Sequence, residues 1–174
     1  MKPKASPLNI IDFAIINFEI NFSPPKKEGA HEDLREYFPQ YSLDIDFDIH
    51  SDSILQVFIK ARINKDENSL PGYIIYAEIC CLFSFDESAK ITQEARNNIE
   101  GFSTIYMALN NLRGFISQIT ANAPIGRYIL PSIDLNDLIE KKKQKIQSQN
   151  SKEAPSVNKT GSHIKKKKVS KKTQ

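Results

Sequence analysis

The chain is poor in the residues on which active chemistry is usually built: its 174 residues include two cysteines, three histidines and six glycines. Cys80 and Cys81 are neighbours inside an apolar run. A strand would point them to opposite faces, and no second pair exists to complete a metal site, so packing is their expected role and the fold must hold without disulfides. The histidines are scattered, with His31 in a polar connection, His50 at a strand end and His163 in a lysine-rich tail. So few glycines leave no phosphate-cradling loop, and neither a nucleophile elbow nor a zincin helix is present. An enzyme is not expected, and neither is a metal or other cofactor.

Long apolar runs are missing as well. No segment is long enough to cross a bilayer as a helix, so a membrane-embedded protein is not expected. Lysines at positions 2 and 4 precede apolar residues, as in a secretory signal, but Asp12 and Glu19 interrupt the stretch and no small-residue cleavage site follows. A soluble protein of a reducing compartment, the cytoplasm, is the expectation.

The net charge of +3 conceals a division. Residues 148–174 hold eight lysines against the single acid Glu153, which leaves the first 147 residues at −4. The basic pI of 8.7 therefore describes the tail and gives no ground for expecting specific nucleic-acid binding. The tail reads as disordered, either as a solubilising end or as an electrostatic arm for an acidic partner. With 40% hydrophobic residues, what precedes it suffices for one core. The expected organisation is a flexible start at 1–10, one domain at 11–147 and the tail at 148–174.

Within the domain the period is first two. Residues 11–22, IDFAIINFEINF, set Ala14, Ile16, Phe18, Ile20 and Phe22 on one face and Phe13 and Ile15 on the other, and Pro24 and Pro25 stop the strand. A polar connection with a short helical turn leads to residues 41–49. There Leu43, Ile45, Phe47 and Ile49 face in, while Asp44, Asp46 and Asp48 face water. The DIDFD run has oxygens at alternate positions but lacks the glycine and glutamate of a calcium loop, and a solvated strand face fits it better. A third strand covers 54–64. After the turn KDENSLPG, a fourth covers 73–85 and is apolar on both faces. Four strands with hairpin-like links predict an antiparallel sheet.

The period then becomes helical. Phe102, Ile105, Leu109, Leu112, Ile116 and Ile119 recur three or four apart, a seam on one long helix that Pro124 and Gly126 terminate. Ile99, Tyr106, Met107 and Phe115 lie outside the seam, giving the helix one surface for the sheet and another for a partner subunit. An extended stretch to Pro131 follows, and Ser132 or Asp134 starts a short final helix. The fold class is α+β. Two strands apolar on both sides leave either one buried core or a surface that a partner covers.

Several local patterns, in their order, resemble the SecB family of export chaperones. EINFSPP at 19–25 is similar to the family's ending of strand one, and Tyr37, Phe38 and Pro39 followed by LDID at 43–46 are similar to its aromatic-x-Pro segment and second strand. LPSIDLNDLI at 130–139 resembles the family's Leu-x-Pro-Ile-Asn-Phe-Asp-x-Leu, and Arg113 and Ile116 fall on its Arg-Glu-x-Ile positions. The resemblance covers residues 11 to about 145. It implies an ATP-independent holdase for unfolded preproteins, assembled as a homotetramer, a dimer of dimers whose long helices pack between subunits through Leu109, Leu112 and Ile116. It implies client binding at Tyr37, Phe38, Tyr128, Ile129 and Leu130, and contact of the motor ATPase SecA with Glu19 and Glu78. The physics agrees, since apolar contacts are non-directional and several weak ones on one long client add through avidity.

The chain departs from the pattern in three places. Ser23 stands where the family has a second acid, Cys80, Cys81 and Leu82 replace a Gly-Gly, and Leu109, Asn110 and Asn111 replace Phe-Pro-Tyr, removing a helix kink. These bear on SecA coupling more than on fold. Divergent relatives serve instead as chaperones of the antitoxins of toxin–antitoxin systems, which is the second expectation.

Overall fold

In the computed structural model, residues 1, 5–25, 33–51, 54–86 and 88–152 are described, the last four without their side chains. The elements are β1 (Leu8–Ser23), a 3-10 segment (Leu34–Gln40), β2 (Leu43–Ser51), β3 (Leu55–Ile63), β4 (Gly72–Phe85), α1 (Gln93–Asn98), a π-helical turn (Ile99–Ser103), α2 (Thr104–Thr120) and α3 (Leu135–Lys152). All strand pairings are antiparallel, in the order β1-β4-β3-β2. The α+β arrangement is as expected from the pattern.

One face of β3 and β4 carries the core. Val57, Ile59, Ala61 and Ile63 on β3 and Ile75, Ala77, Ile79, Cys81 and Phe83 on β4 are completely buried. In register, Val57 lies opposite Cys81, Ile59 opposite Ile79 and Ala61 opposite Ala77, so the two strands present a single greasy plane. Helix α2 lies on that plane through Ile105, Ala108, Leu109, Leu112 and Ile116, each worth about 1.5–3 kcal/mol when removed from water, alanine less. Cys80 and Cys81 are free thiols on opposite faces. Burial pushes the Cys81 thiol up to about 12, which keeps it protonated.

Strand β1 departs from simple alternation. Its register against β4 slips between Ile10 and Asp12 and again between Ile15 and Asn17, so Ile11 and Ile16 are extra residues. Each bulge flips the faces beyond it. Phe13 and Ile15 consequently join Phe18, Ile20 and Phe22 on the helix side, opposite Cys81, Ile79, Ala77, Ile75 and Tyr73. Phe115 of α2 then meets both Phe13, at 6.4 Å between ring centroids, and Phe18, edge-on at 5.0 Å. The strand also begins at Leu8, inside the segment expected to be a flexible start.

The seam of the long helix is shorter than its spacing predicts. Phe102 and Ile119 are 41% and 40% exposed. Phe102 sits in the π-helical turn, whose extra residue rotates everything before Thr104 relative to α2, and at the other end Thr120 takes the inward place. The helix begins at Thr92, whose hydroxyl oxygen accepts the Ala95 N–H at 3.2 Å. Asp86 caps only the preceding turn, through Ser88.

Asp134 starts α3, accepting the N–H groups of Asn136 at 2.9 Å and Asp137 at 3.3 Å. Leu138 and Ile139 pack on the core beside β2. Further along, Lys142 Nζ donates to both Asp46 and Asp48 at 2.8 Å, and Lys145 to Asp46 at 2.7 Å. Burial alone would raise the Asp46 carboxyl, but the two lysines outweigh it and hold it at about 2. The helix runs on to Lys152, into a stretch that composition assigns to the tail. The remainder of the tail and His31 lie outside the described residues.

Candidate functional site

The sequence YFPQY at 37–41 folds around Pro39 into the 3-10 segment. Asp33 caps it by accepting the Arg35 N–H at 3.1 Å and clamps the Arg35 guanidinium at 2.6–3.0 Å, which holds the Asp33 carboxyl below its ordinary value. This turn delivers Phe38 into a cluster of tyrosines. Its ring lies 5.5 Å from Tyr41, 5.8 Å from Tyr73 and 5.2 Å, edge-on, from Tyr128, and Tyr41 and Tyr128 are 5.6 Å apart. Burial raises the Tyr41 phenol and pushes that of Tyr128 up to about 12, so neither ionises near neutrality.

Above the cluster opens a groove of about 420 Å³, lined by Phe38, Pro39, Tyr41, Arg127, Tyr128, Ile129 and Pro131. A second cleft of about 640 Å³ lies at the N-terminal end of the 3-10 segment, between Phe22, Leu34, Arg35 and residues 123–126. Of the residues expected to meet a client, Phe38, Tyr128 and Ile129 line the groove, with Ile129 61% exposed. Tyr37 is half-buried against the core and Leu130 is inside it. Four further residues line the groove: Pro39 and Pro131, which the sequence marks only as backbone punctuation, and Tyr41 and Arg127, which it does not single out. The symmetric spacing of Tyr37 and Tyr41 about Pro39 is the signal that could have found Tyr41.

The far wall of the groove is the extended connection after α2. The Tyr73 hydroxyl accepts the Ile125 N–H and donates to the Gly126 carbonyl, both at 3.0 Å. The Thr120 hydroxyl accepts the Tyr128 N–H at 2.9 Å and donates to the Ile116 carbonyl at 2.7 Å. Arg113 donates from Nε to the Leu130 carbonyl at 2.8 Å and from Nη2 to that of Pro131 at 3.0 Å. Among the described residues, the backbone N–H and C=O groups of Arg127 and Ile129 have no hydrogen-bond partner in the chain. These two alternate with Tyr128, so they share one edge of the extended wall.

The other expected residues lie elsewhere. Glu19 and Glu78 are on the sheet face away from α2, on adjacent strands, and both carboxylates are paired: Glu19 with Lys65 at 3.3 Å, Glu78 with Lys60 at 3.1 Å and with the Tyr76 hydroxyl at 3.0 Å. Lys60, chiefly, holds the Glu78 carboxyl below its usual value. Leu109, Leu112 and Ile116 face the chain's own sheet and are fully used in its core, so a contact between copies through α2 would fall on its other side, where Tyr106 is 57% exposed. Five large side chains of β1, Ile10, Ile11, Ile15, Ile16 and Phe22, are also exposed, on a strand whose outer edge has no partner strand among the described residues. Among the described residues no group of three or more His, Cys, Asp or Glu is placed to hold a metal ion, and no helix is long and apolar enough to cross a membrane.

No protein-family model matches the chain, and no curated protein matches it. Among solved structures it is similar to the Mycobacterium tuberculosis Rv1957 SecB-like chaperone, in complex with a ChAD peptide from the Rv1956 HigA1 antitoxin, at 14% identity and a TM-score of 0.49 over 74% of this chain and 91% of that chain. It is also similar to a protein of unknown function from Streptococcus agalactiae, at 8% identity and a TM-score of 0.38 over 75% of this chain and 100% of that one.

Proposed function

We propose that this chain is an ATP-independent molecular chaperone that holds extended, apolar polypeptide segments in the groove between the 3-10 segment and the connection after α2. One observation carries the reading: an aromatic-walled groove stands beside an already extended backbone whose Arg127 and Ile129 groups are unpaired. A folded protein offers such a surface little, because its own backbone groups are satisfied. An unfolded client brings both a free backbone and apolar side chains. Contacts with aromatic and aliphatic walls are non-directional, so many sequences fit. The exposed apolar side chains of β1 support assembly into a homotetramer, which multiplies the grooves along one client.

Two client classes follow, unfolded precursors bound for the Sec pathway in the cytoplasm and a single dedicated partner such as an antitoxin. The sheet face favours the second. Lys65 and Lys60 neutralise Glu19 and Glu78, so the acids that would engage SecA do not form an uncompensated negative patch.

The test is suppression of light scattering by a refolding, aggregation-prone protein in the absence of ATP. Suppression at one groove per client is the expected result, and scattering unchanged at several-fold excess would remove the holdase reading. Stabilisation of one neighbouring gene product, with little effect on unrelated clients, would decide for the dedicated chaperone.

A further inference from the structure

After the turn at Ile125 and Gly126 the connection runs extended to Pro131, with Tyr128 and Leu130 turned inward and Ile129 outward, although among the described residues no strand lies on its inner side. Five of its backbone groups are held instead by three side chains from elsewhere: Tyr73 from β4, and Thr120 and Arg113 from α2. Each is chemically suited to its pair of partners. A phenol or an alcohol can accept from one group and donate to another, and a guanidinium can reach two successive carbonyls from one planar fork. Burial explains part of this, since Tyr128 and Leu130 are inside the core and their polar groups need partners. It does not explain Arg113 and Pro131, because that contact is exposed and water could have served the carbonyl equally well.

We propose that Tyr73, Thr120 and Arg113 are positioning residues that stretch the groove wall before a polypeptide arrives. The proposal rests on the chaperone reading and names the residues that set its affinity. A client then docks on an edge already in the conformation it must match. Without the tether the connection samples many shapes, and the cost of ordering it is charged to each binding event. Tyr73 does this for the turn at Ile125 and Gly126, Thr120 for the centre at Tyr128, and Arg113 for the end at Leu130 and Pro131.

The experiment uses the full chain, reduced and carboxymethylated α-lactalbumin as a permanently unfolded probe, and two readouts: probe affinity by fluorescence anisotropy and amide hydrogen exchange over 124–131. Thr120→Val keeps the shape but loses the hydroxyl, Thr120→Ser keeps the hydroxyl, and Arg113→Lys keeps the charge but loses the fork. In Thr120→Val and Arg113→Lys, exchange over 124–131 should quicken and affinity fall about tenfold, while Thr120→Ser stays near wild type. A role confined to the core would instead lower the melting temperature of Thr120→Val and Thr120→Ser alike and leave Arg113→Lys unchanged.

Faster exchange with unchanged affinity overturns the proposal and leaves the chaperone reading standing. Exchange unchanged in both variants also overturns it, whatever the affinity. Failure of the wild-type chain to bind the probe overturns the chaperone reading, and the tether's role in binding with it.

Discussion

The hydroxyl of Tyr41 occupies the space that a side chain at Gly72 would need. It accepts the Tyr73 N–H at 2.9 Å and donates to the Pro71 carbonyl at 3.1 Å, and a Cβ on Gly72 would come within 1.9 Å of its oxygen. Gly72 also has φ +118, a conformation that side chains resist. Gly72→Ala should therefore destabilise the domain by about 2–5 kcal/mol, read as a lower urea midpoint, since strain and displacement of Tyr41 act together. It should weaken client binding as well, because Tyr41 is part of the aromatic floor.

Ile129 offers the cleanest test of the groove itself. Its side chain is largely in water, so Ile129→Asp should leave the melting temperature within about 1 °C. The same change puts a charge where an apolar client residue would rest. Affinity for an unfolded probe should drop at least about tenfold, and unchanged affinity would mean that clients bind elsewhere.

The docking of α3 depends on pH in a defined direction. In the folded chain Asp46 titrates near 2, below its ordinary 3.8, because Lys142 and Lys145 hold it charged. A depressed carboxylate contributes stability that is fully present above about pH 4 and disappears as the pH falls toward 2. Amide exchange along α3 should accelerate over that window, and Asp46→Asn should abolish the acid step. Lys142→Ala, which removes two contacts at once, should loosen α3 at neutral pH by about 1 kcal/mol or less.

Assembly can be probed on β1. Ile16 is an extra, outward residue whose replacement costs the chain's own core little. Ile16→Lys should lower the oligomeric mass measured by light scattering if copies meet along this strand, and an unchanged mass would direct attention to the outer side of α2.

How much of this is legible in the sequence depends on the range of the interaction. The strands β2 and β3 alternate because one face is wet, and Leu43, Ile45, Phe47 and Ile49 declare it residue by residue. Strand β1 misleads, since IDFAIINF contains no signal that Ile11 and Ile16 are supernumerary. Only the pairing with β4 reveals it. The helix seam fails at Phe102 for a related reason, as a π-helical turn is decided by how the rod must meet the sheet. At the groove, aromatic residues near Pro39 and in YILP could be named from order alone. Tyr73 and Thr120 could not, because a tyrosine in a strand and a threonine at a helix end look like ordinary core and capping residues until the connection returns beneath them.

The two bulges in β1 make Ile11 and Ile16 the positions where that strand tolerates the loss of a residue best. Exchanging either for another residue alters one outward side chain. Deleting either would leave both flanking stretches paired as before, because the partners on each side, Phe83 and Leu82 for the first bulge and Ile79 and Glu78 for the second, are already consecutive in β4. In lineages descended from this chain, single-residue deletions between Leu8 and Ser23 should therefore fall at these two isoleucines, whereas loss of a paired residue such as Asp12 or Asn17 would turn its neighbours to the wrong face.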